Sequence, residues 1–153
     1  MDRYLIKLLI GFVAGMAAVP LVASGSFAAP VCTKSGTGSD DVIVGTPEAD
    51  VLCGLAGNDF IRGVRGDDRL FGGRGADDLD GGPGADVVRG GRGRDSATGG
   101  VGSDTLIGGR HADSLNSVDG VAGNDTVDGG LGTDTCRIDD GDVVQNCETV
   151  IRV

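Results

Sequence analysis

From Gly36 to Arg137 the chain repeats every nine residues: GTGSDDVIV, GTPEADVLC, GLAGNDFIR, GVRGDDRLF, GGRGADDLD, GGPGADVVR, GGRGRDSAT, GGVGSDTLI and GGRHADSLN, then, after three extra residues, Ser117 to Asp119, GVAGNDTVD and GGLGTDTCR. A fixed short period constrains architecture more than any other sequence feature, because each unit makes the same local structure and is stabilised by its neighbours. Glycine opens all eleven units, at Gly36, Gly45, Gly54, Gly63, Gly72, Gly81, Gly90, Gly99, Gly108, Gly120 and Gly129. Aspartate holds the sixth place in every unit: Asp41, Asp50, Asp59, Asp68, Asp77, Asp86, Asp95, Asp104, Asp113, Asp125 and Asp134. The eighth place is apolar throughout, from Ile43, Leu52 and Ile61 to Leu115, Val127 and Cys136, with Ala97 the smallest. A flexible glycine-rich linker has no reason to keep three columns in phase.

These columns predict the local structure. Glycine reaches positive φ without steric cost, so the first six places, G-x-x-G-x-D, read as a turn that aims carbonyls inward. The last three, such as Val51-Leu52-Cys53 or Phe60-Ile61-Arg62, read as a short strand whose middle side chain faces inward. Two units complete a coil of about 18 residues, with parallel strands stacked about 4.8 Å apart on two faces. The expected fold is all-β: a parallel β-roll, or β-solenoid, of about eleven nonapeptides, two per coil. Aspartates of every second unit then share one edge. Columns of carboxylates a few ångströms apart repel unless a cation lies among them. Calcium suits such oxygen-only turns, because it takes six to eight carboxylate and carbonyl oxygens in flexible geometry, whereas magnesium demands a tighter octahedron and transition metals prefer nitrogen or sulfur.

The units resemble the hemolysin-type calcium-binding nonapeptide, the repeats-in-toxin (RTX) motif G-G-x-G-x-D-x-U-x, across residues 36–137. That resemblance implies several Ca2+ ions between successive turns, held by turn carbonyls and the eleven sixth-place aspartates. It also implies turn roles for Gly54, Gly57, Gly63, Gly66, Gly72, Gly75, Gly81, Gly84, Gly90, Gly93, Gly99 and Gly102. Folding and calcium occupancy become one equilibrium. The pairs Asp59/Asp77, Asp68/Asp86, Asp77/Asp95 and Asp86/Asp104 are the best expected sites. Units one, two and nine, which carry Ser39, Glu48 and His111 at the fourth place, are expected to bind weakest, and the 117–119 insertion to break the phase.

Residues 1–28 read as a secretory signal peptide: Arg3 and Lys7 precede a long apolar run, and Ser26-x-Ala28 fits cleavage after Ala28. An uncleaved anchor is the alternative, since the run nears the length that spans a bilayer. The expected product is secreted, with residues 29–35 an N-terminal cap segment, 36–137 the β-roll and 138–153 a C-terminal cap. Cleavage removes Asp2, Arg3 and Lys7, which takes the net charge of −10 to 22 acidic against 11 basic groups, or −11. Nucleic acid is a poor partner for such a chain, because its phosphates are bound by surplus positive charge. After residue 28 the only lysine is Lys34 and the only histidine His111, so neither a P-loop nor a two-histidine zinc helix can be assembled. No D-x-D-x-D-G loop with its later glutamate marks an EF-hand.

Cys32, Cys53, Cys136 and Cys147 allow three pairings. Their placement near the two ends favours Cys32–Cys53 and Cys136–Cys147 as staples, with free or intermolecular thiols as the alternative. Val143, Val144, Val150 and Ile151 are expected to cover the open core at the C-terminal end. Stacking alternate units gathers Arg74, Arg92, Arg94, Arg110 and His111 on one edge, either as charge balance or as a dock for an anionic glycan or cell-surface group. No catalytic residue is expected: there is no G-x-S-x-G elbow, and His111 stands alone in a degenerate turn. The reading is a non-enzymatic, secreted calcium-binding structural or interaction module. A surface adhesin or matrix component is the alternative, and an enzyme a third class.

Overall fold

The computed structural model describes residues 30–153, so the predicted signal peptide lies outside the described residues. The chain forms fourteen strands and no helix among those residues: β1 (Lys34–Ser35), β2 (Val42–Val44), β3 (Val51–Ala56), β4 (Phe60–Arg62), β5 (Arg69–Arg74), β6 (Asp78–Pro83), β7 (Val87–Arg92), β8 (Ser96–Val101), β9 (Thr105–Arg110), β10 (Ser114–Asn116), β11 (Thr126–Leu131), β12 (Thr135–Ile138), β13 (Val143–Gln145) and β14 (Thr149–Arg152). Odd-numbered strands stack in order into one seven-stranded sheet and even-numbered strands into the other. Every pairing is parallel, with equivalent places of alternate units in register, as in Leu52↔Leu70 and Leu79↔Ala97. This is the expected parallel β-solenoid, two units to a coil.

Between the sheets runs a single file of eighth-place side chains, Ile43, Leu52, Ile61, Leu70, Leu79, Val88, Ala97, Leu106, Leu115, Val127 and Cys136, joined by Ile138. Stacking in register lets each side chain touch the equivalent residue one coil away, so the file stays dry although it is one residue wide. Disulfides Cys32–Cys53 and Cys136–Cys147 staple the two ends as expected. Cys53 occupies an outward ninth place, yet the segment carrying Cys32 covers it and leaves it 4% exposed.

Three expectations need correction. First, β5 to β9 and β11 are six residues long, not three, because each runs on through the Gly-Gly that opens the next unit. The turn shrinks to places four to six, such as Gly75 to Asp77. Positive φ falls at the second and fourth places, for example Gly73 at 114° and Gly75 at 127°. The opening glycines named as turn residues, Gly54, Gly63, Gly72, Gly81, Gly90 and Gly99, instead face inward, and a Cβ on any of them would overlap the carboxylate of its own unit's aspartate.

Second, the 117–119 insertion does not break the phase. β9 pairs β11 as Thr105↔Thr126, and β10 pairs β12 as Leu115↔Cys136, so the extra residues bulge between β10 and β11 and the register resumes. Third, the C-terminal segment covers the open core only in part, through Val144 and Cys147, by stacking one more coil on the end. β13 adds to β11 and β14 to β12, which lengthens both sheets. Val144 packs on the core file, while Val143, Val150 and Ile151 stay exposed.

Candidate metal centre

The tight turns bring the sixth-place aspartates into two columns, one on each edge of the solenoid. From Asp59 to Asp134 these side chains are at most 3% exposed. Their burial follows from the repeat: the opening glycine leaves room for the carboxylate to fold back over the chain. Each column is a hydrogen-bonded ladder. The Asp59 N–H donates to Asp77 Oδ1 at 2.9 Å, Asp68 to Asp86 at 2.7 Å, Asp77 to Asp95 at 3.0 Å and Asp86 to Asp104 at 2.9 Å. The ladder crosses the insertion intact, with Asp104 N–H to Asp125 at 2.7 Å and Asp113 N–H to Asp134 at 2.8 Å.

One oxygen of each carboxylate is thus satisfied and the other is not. Oδ2 of Asp59, Asp68, Asp77, Asp86, Asp95, Asp104, Asp113, Asp125 and Asp134 is buried with no hydrogen-bond partner. An unpaired buried charge of this kind is costly. Burial pushes the carboxyls of Asp86 and Asp95 up from 3.8 to about 7, helped by aspartates one coil away and opposed by the ladder N–H. Asp113 and Asp125 rise to about 6 for the same first reason. Asp68, Asp77 and Asp104 are raised as well, again chiefly by burial.

The first two units differ. Asp41 Oδ2 accepts from Thr37 N–H at 2.6 Å and Thr37 Oγ1 at 2.9 Å. Asp50 Oδ2 accepts from Thr46 N–H at 2.7 Å and Thr46 Oγ1 at 2.8 Å, and its Oδ1 accepts from Thr33 Oγ1 at 2.8 Å. The Asp50 N–H donates in turn to Asp68 Oδ1. The Thr33 hydroxyl holds the Asp50 carboxyl below its ordinary value. Asp113, in the degenerate ninth unit, keeps an orphaned Oδ2 like its neighbours, although His111 replaces the fourth-place glycine at φ 82°.

Two ladder residues lie outside the nonapeptide frame. Asp125 N–H donates to Asp142 Oδ1 at 3.3 Å, and Asp134 N–H to Glu148 Oε2 at 2.7 Å. A signal for both is present in the sequence: Asp142-Val143-Val144 and Glu148-Thr149-Val150 repeat the acid-x-apolar triplet that closes each unit. Asp142 Oδ2 accepts from Asp139 N–H at 3.0 Å and Ser117 Oγ at 3.1 Å, so its carboxylate is saturated.

Fourth-place carbonyls supply a second set of oxygens. A Cβ on Gly75, Gly84, Gly93 or Gly102 would overlap the fourth-place carbonyl oxygen one coil before it. Among the described residues no group of three or more His, Cys, Asp and Glu side chains converges. A cation held in these turns would have to complete its shell with carbonyls, as calcium readily does. Of the arginines expected on one edge, Arg74, Arg92 and Arg110 align in register, whereas Arg94 lies in the turn after β7 and outside that row; His111 is exposed, with Nδ1 2.8 Å from the Arg110 carbonyl oxygen.

No curated protein matches the chain. The family model of the RTX calcium-binding nonapeptide repeat (4 copies) matches at residues 35–68, 54–88, 62–97, 89–120, 98–136 and 115–142. With that match spanning both sheets and the two aspartate ladders, the chain belongs to the RTX calcium-binding repeat family.

Proposed function

We propose that the chain is a secreted, non-enzymatic structural or interaction module whose folding is coupled to calcium held in the Gly/Asp turns. The observation that carries this reading is the set of nine buried Oδ2 atoms without a partner. Asp59, Asp68, Asp77, Asp86, Asp95, Asp104, Asp113, Asp125 and Asp134 hold the ions, together with fourth-place carbonyls such as those of Gly75 and Gly84. Asp50, with both oxygens paired to threonine, and Asp41, with its Oδ2 so paired, act as an ion-free N-terminal cap. A bound dication neutralises the columns and satisfies the orphaned oxygens, and metal binding then becomes folding free energy. Calcium-poor cytosol leaves the chain unfolded, and export into calcium at about 10⁻⁴ to 10⁻³ M, the range of extracellular modules, folds it. Far-UV circular dichroism of residues 29–153 during a calcium titration, with ions counted by native mass spectrometry, tests this. Expected is β signal that rises with calcium and reverses with chelator. A chelated chain already rich in β structure and unmoved by calcium overturns it.

A further inference from the structure

On the odd-numbered sheet a groove runs along the solenoid axis. Its floor is Gly73, Gly91 and Gly109, in register and without side chains. Arg74, Arg92 and Arg110 form one wall, exposed and about 4.8 Å apart from strand to strand. Phe71 and Arg89 stand on the other side. Two depressions, of 260 Å³ and 290 Å³, open at its Phe71 end, where Pro30 of the N-terminal segment borders both and none of the three arginines lines either. The one ion pair among the described residues is Arg62–Asp80, on the opposite sheet, so the arginine row has no carboxylate partner.

The fold does not require this row. The same place on the other sheet is held by Pro47, Arg65, Pro83 and Val101. Both edges carry an aspartate column, so arginines serving only to offset that charge belong on both. In a chain of net charge −10 a one-sided, in-register, unpaired cationic row needs another cause.

We propose that this groove binds a linear polysaccharide bearing a carboxylate on each successive sugar. Guanidinium groups take carboxylates in paired hydrogen bonds. A glycine floor lets sugar rings approach the backbone, and Phe71 offers an aromatic face. Charges spaced one coil apart on a rigid scaffold engage a regularly charged polymer with avidity. The proposal goes beyond calcium binding, which enters only by keeping the coil folded.

The test is calorimetric titration of the calcium-loaded protein with short oligogalacturonates at buffered free calcium, since uronates themselves bind the ion. Neutral malto-oligosaccharides and polyphosphate of similar length are the comparison probes. R74S/R92S/R110S is expected to weaken uronate binding about tenfold or more, as loss of three charge-assisted contacts implies. The isocharge control R65S/R137S/R152S is expected to leave it unchanged. Phe71→Ala, which alters no charge, is expected to weaken uronate binding as well. Circular dichroism in calcium verifies the fold of each variant. Absence of binding by the unmodified protein, equal losses in both triple variants, or polyphosphate binding as tight as uronate binding overturns the proposal. If the groove triple fails to fold, unchanged binding by Phe71→Ala overturns it alone.

Discussion

Replacing Asp86 by asparagine should change stability in opposite directions with and without calcium. Asp86 sits mid-column, accepts the Asp68 N–H at 2.7 Å through Oδ1, and leaves Oδ2 buried and unpartnered. Asparagine keeps the acceptor and the shape but removes the charge. In the calcium-free fold burial lifts this carboxyl from 3.8 to about 7. At about 1.4 kcal/mol per pH unit, keeping it ionised costs on the order of 4 kcal/mol. The substituted side chain would bury an amide N–H₂ without an acceptor, at about 1 to 3 kcal/mol. The chelated variant should therefore gain about 1 to 3 kcal/mol above neutral pH. In calcium it loses a ligand oxygen, so it should melt lower and need more calcium to fold. Urea and thermal melts followed by circular dichroism, in chelator and in millimolar calcium, give both signs. If chelator unfolds the parent chain, the osmolyte concentration that restores β signal serves as the stability scale. Asp50→Asn is the control: its oxygens are hydrogen-bonded to Thr33 and Thr46, so the change should destabilise in both conditions. Asp86→Asn destabilising the chelated protein as much as the calcium-loaded one would refute the reasoning, because the carboxylate would then be a structural acceptor.

The chelated protein should also fold on acidification. Asp86 and Asp95 titrate at about 7 and Asp113 and Asp125 at about 6 in the fold, against 3.8 as the ordinary value, so the fold binds protons more tightly than the open chain does. This stabilisation is complete below about pH 4 and is lost as pH rises through 6 to 7; far-UV dichroism that shows more β structure at about pH 8 than at about pH 5 in chelator contradicts it. Asp50 and Asp119, whose values are lowered, act oppositely only at the acid extreme. Gly93→Ala should cost about 3 kcal/mol or more in urea melts, since its Cβ meets the Gly75 carbonyl at φ 139°, whereas Gly38→Ala, with nothing within 4 Å, should stay within about 0.5 kcal/mol. Val64→Gly should raise the melting temperature, by about 1 kcal/mol of stability, because a β-branched residue at φ 97° is strained where other units place glycine.

The period made the coil, the single-file core and the aspartate columns legible, because each is a property of one unit repeated. What escaped belongs to relations between units. The second-place glycines, Gly73, Gly82, Gly91, Gly100 and Gly109, read as one half of Gly-Gly, yet each has positive φ and stands where a Cβ would meet the carbonyl one coil before. The opening glycines look like turn residues in isolation, and only the folded-back carboxylate shows that they are needed for want of a Cβ. An insertion looks like a phase break when counted along the chain. In space the three residues bulge, because the carboxylate ladder and the core file both favour returning to register. The C-terminal valines look alike in hydropathy, yet the acid-x-apolar triplets decide that Val144 packs inward and Val143 does not.

The ends of the two columns explain why the interior is left unsatisfied. At the N-terminal end Thr37 and Thr46 close the carboxylates of Asp41 and Asp50 with hydroxyls and amides. At the C-terminal end Asp142 is saturated by Ser117 and the Asp139 N–H, and Glu148 receives the last ladder bond. The same sequence can thus satisfy a buried carboxylate completely by substituting threonine or serine nearby. It does so at the margins, where a coil lacks a neighbour on one side. In the nine interior turns the second place goes instead to glycine or to a residue that donates nothing to Oδ2. An orphaned oxygen at every interior turn lowers the stability of the ion-free fold, whereas the paired carboxylates of Asp50 and Asp142 at the ends carry no such cost.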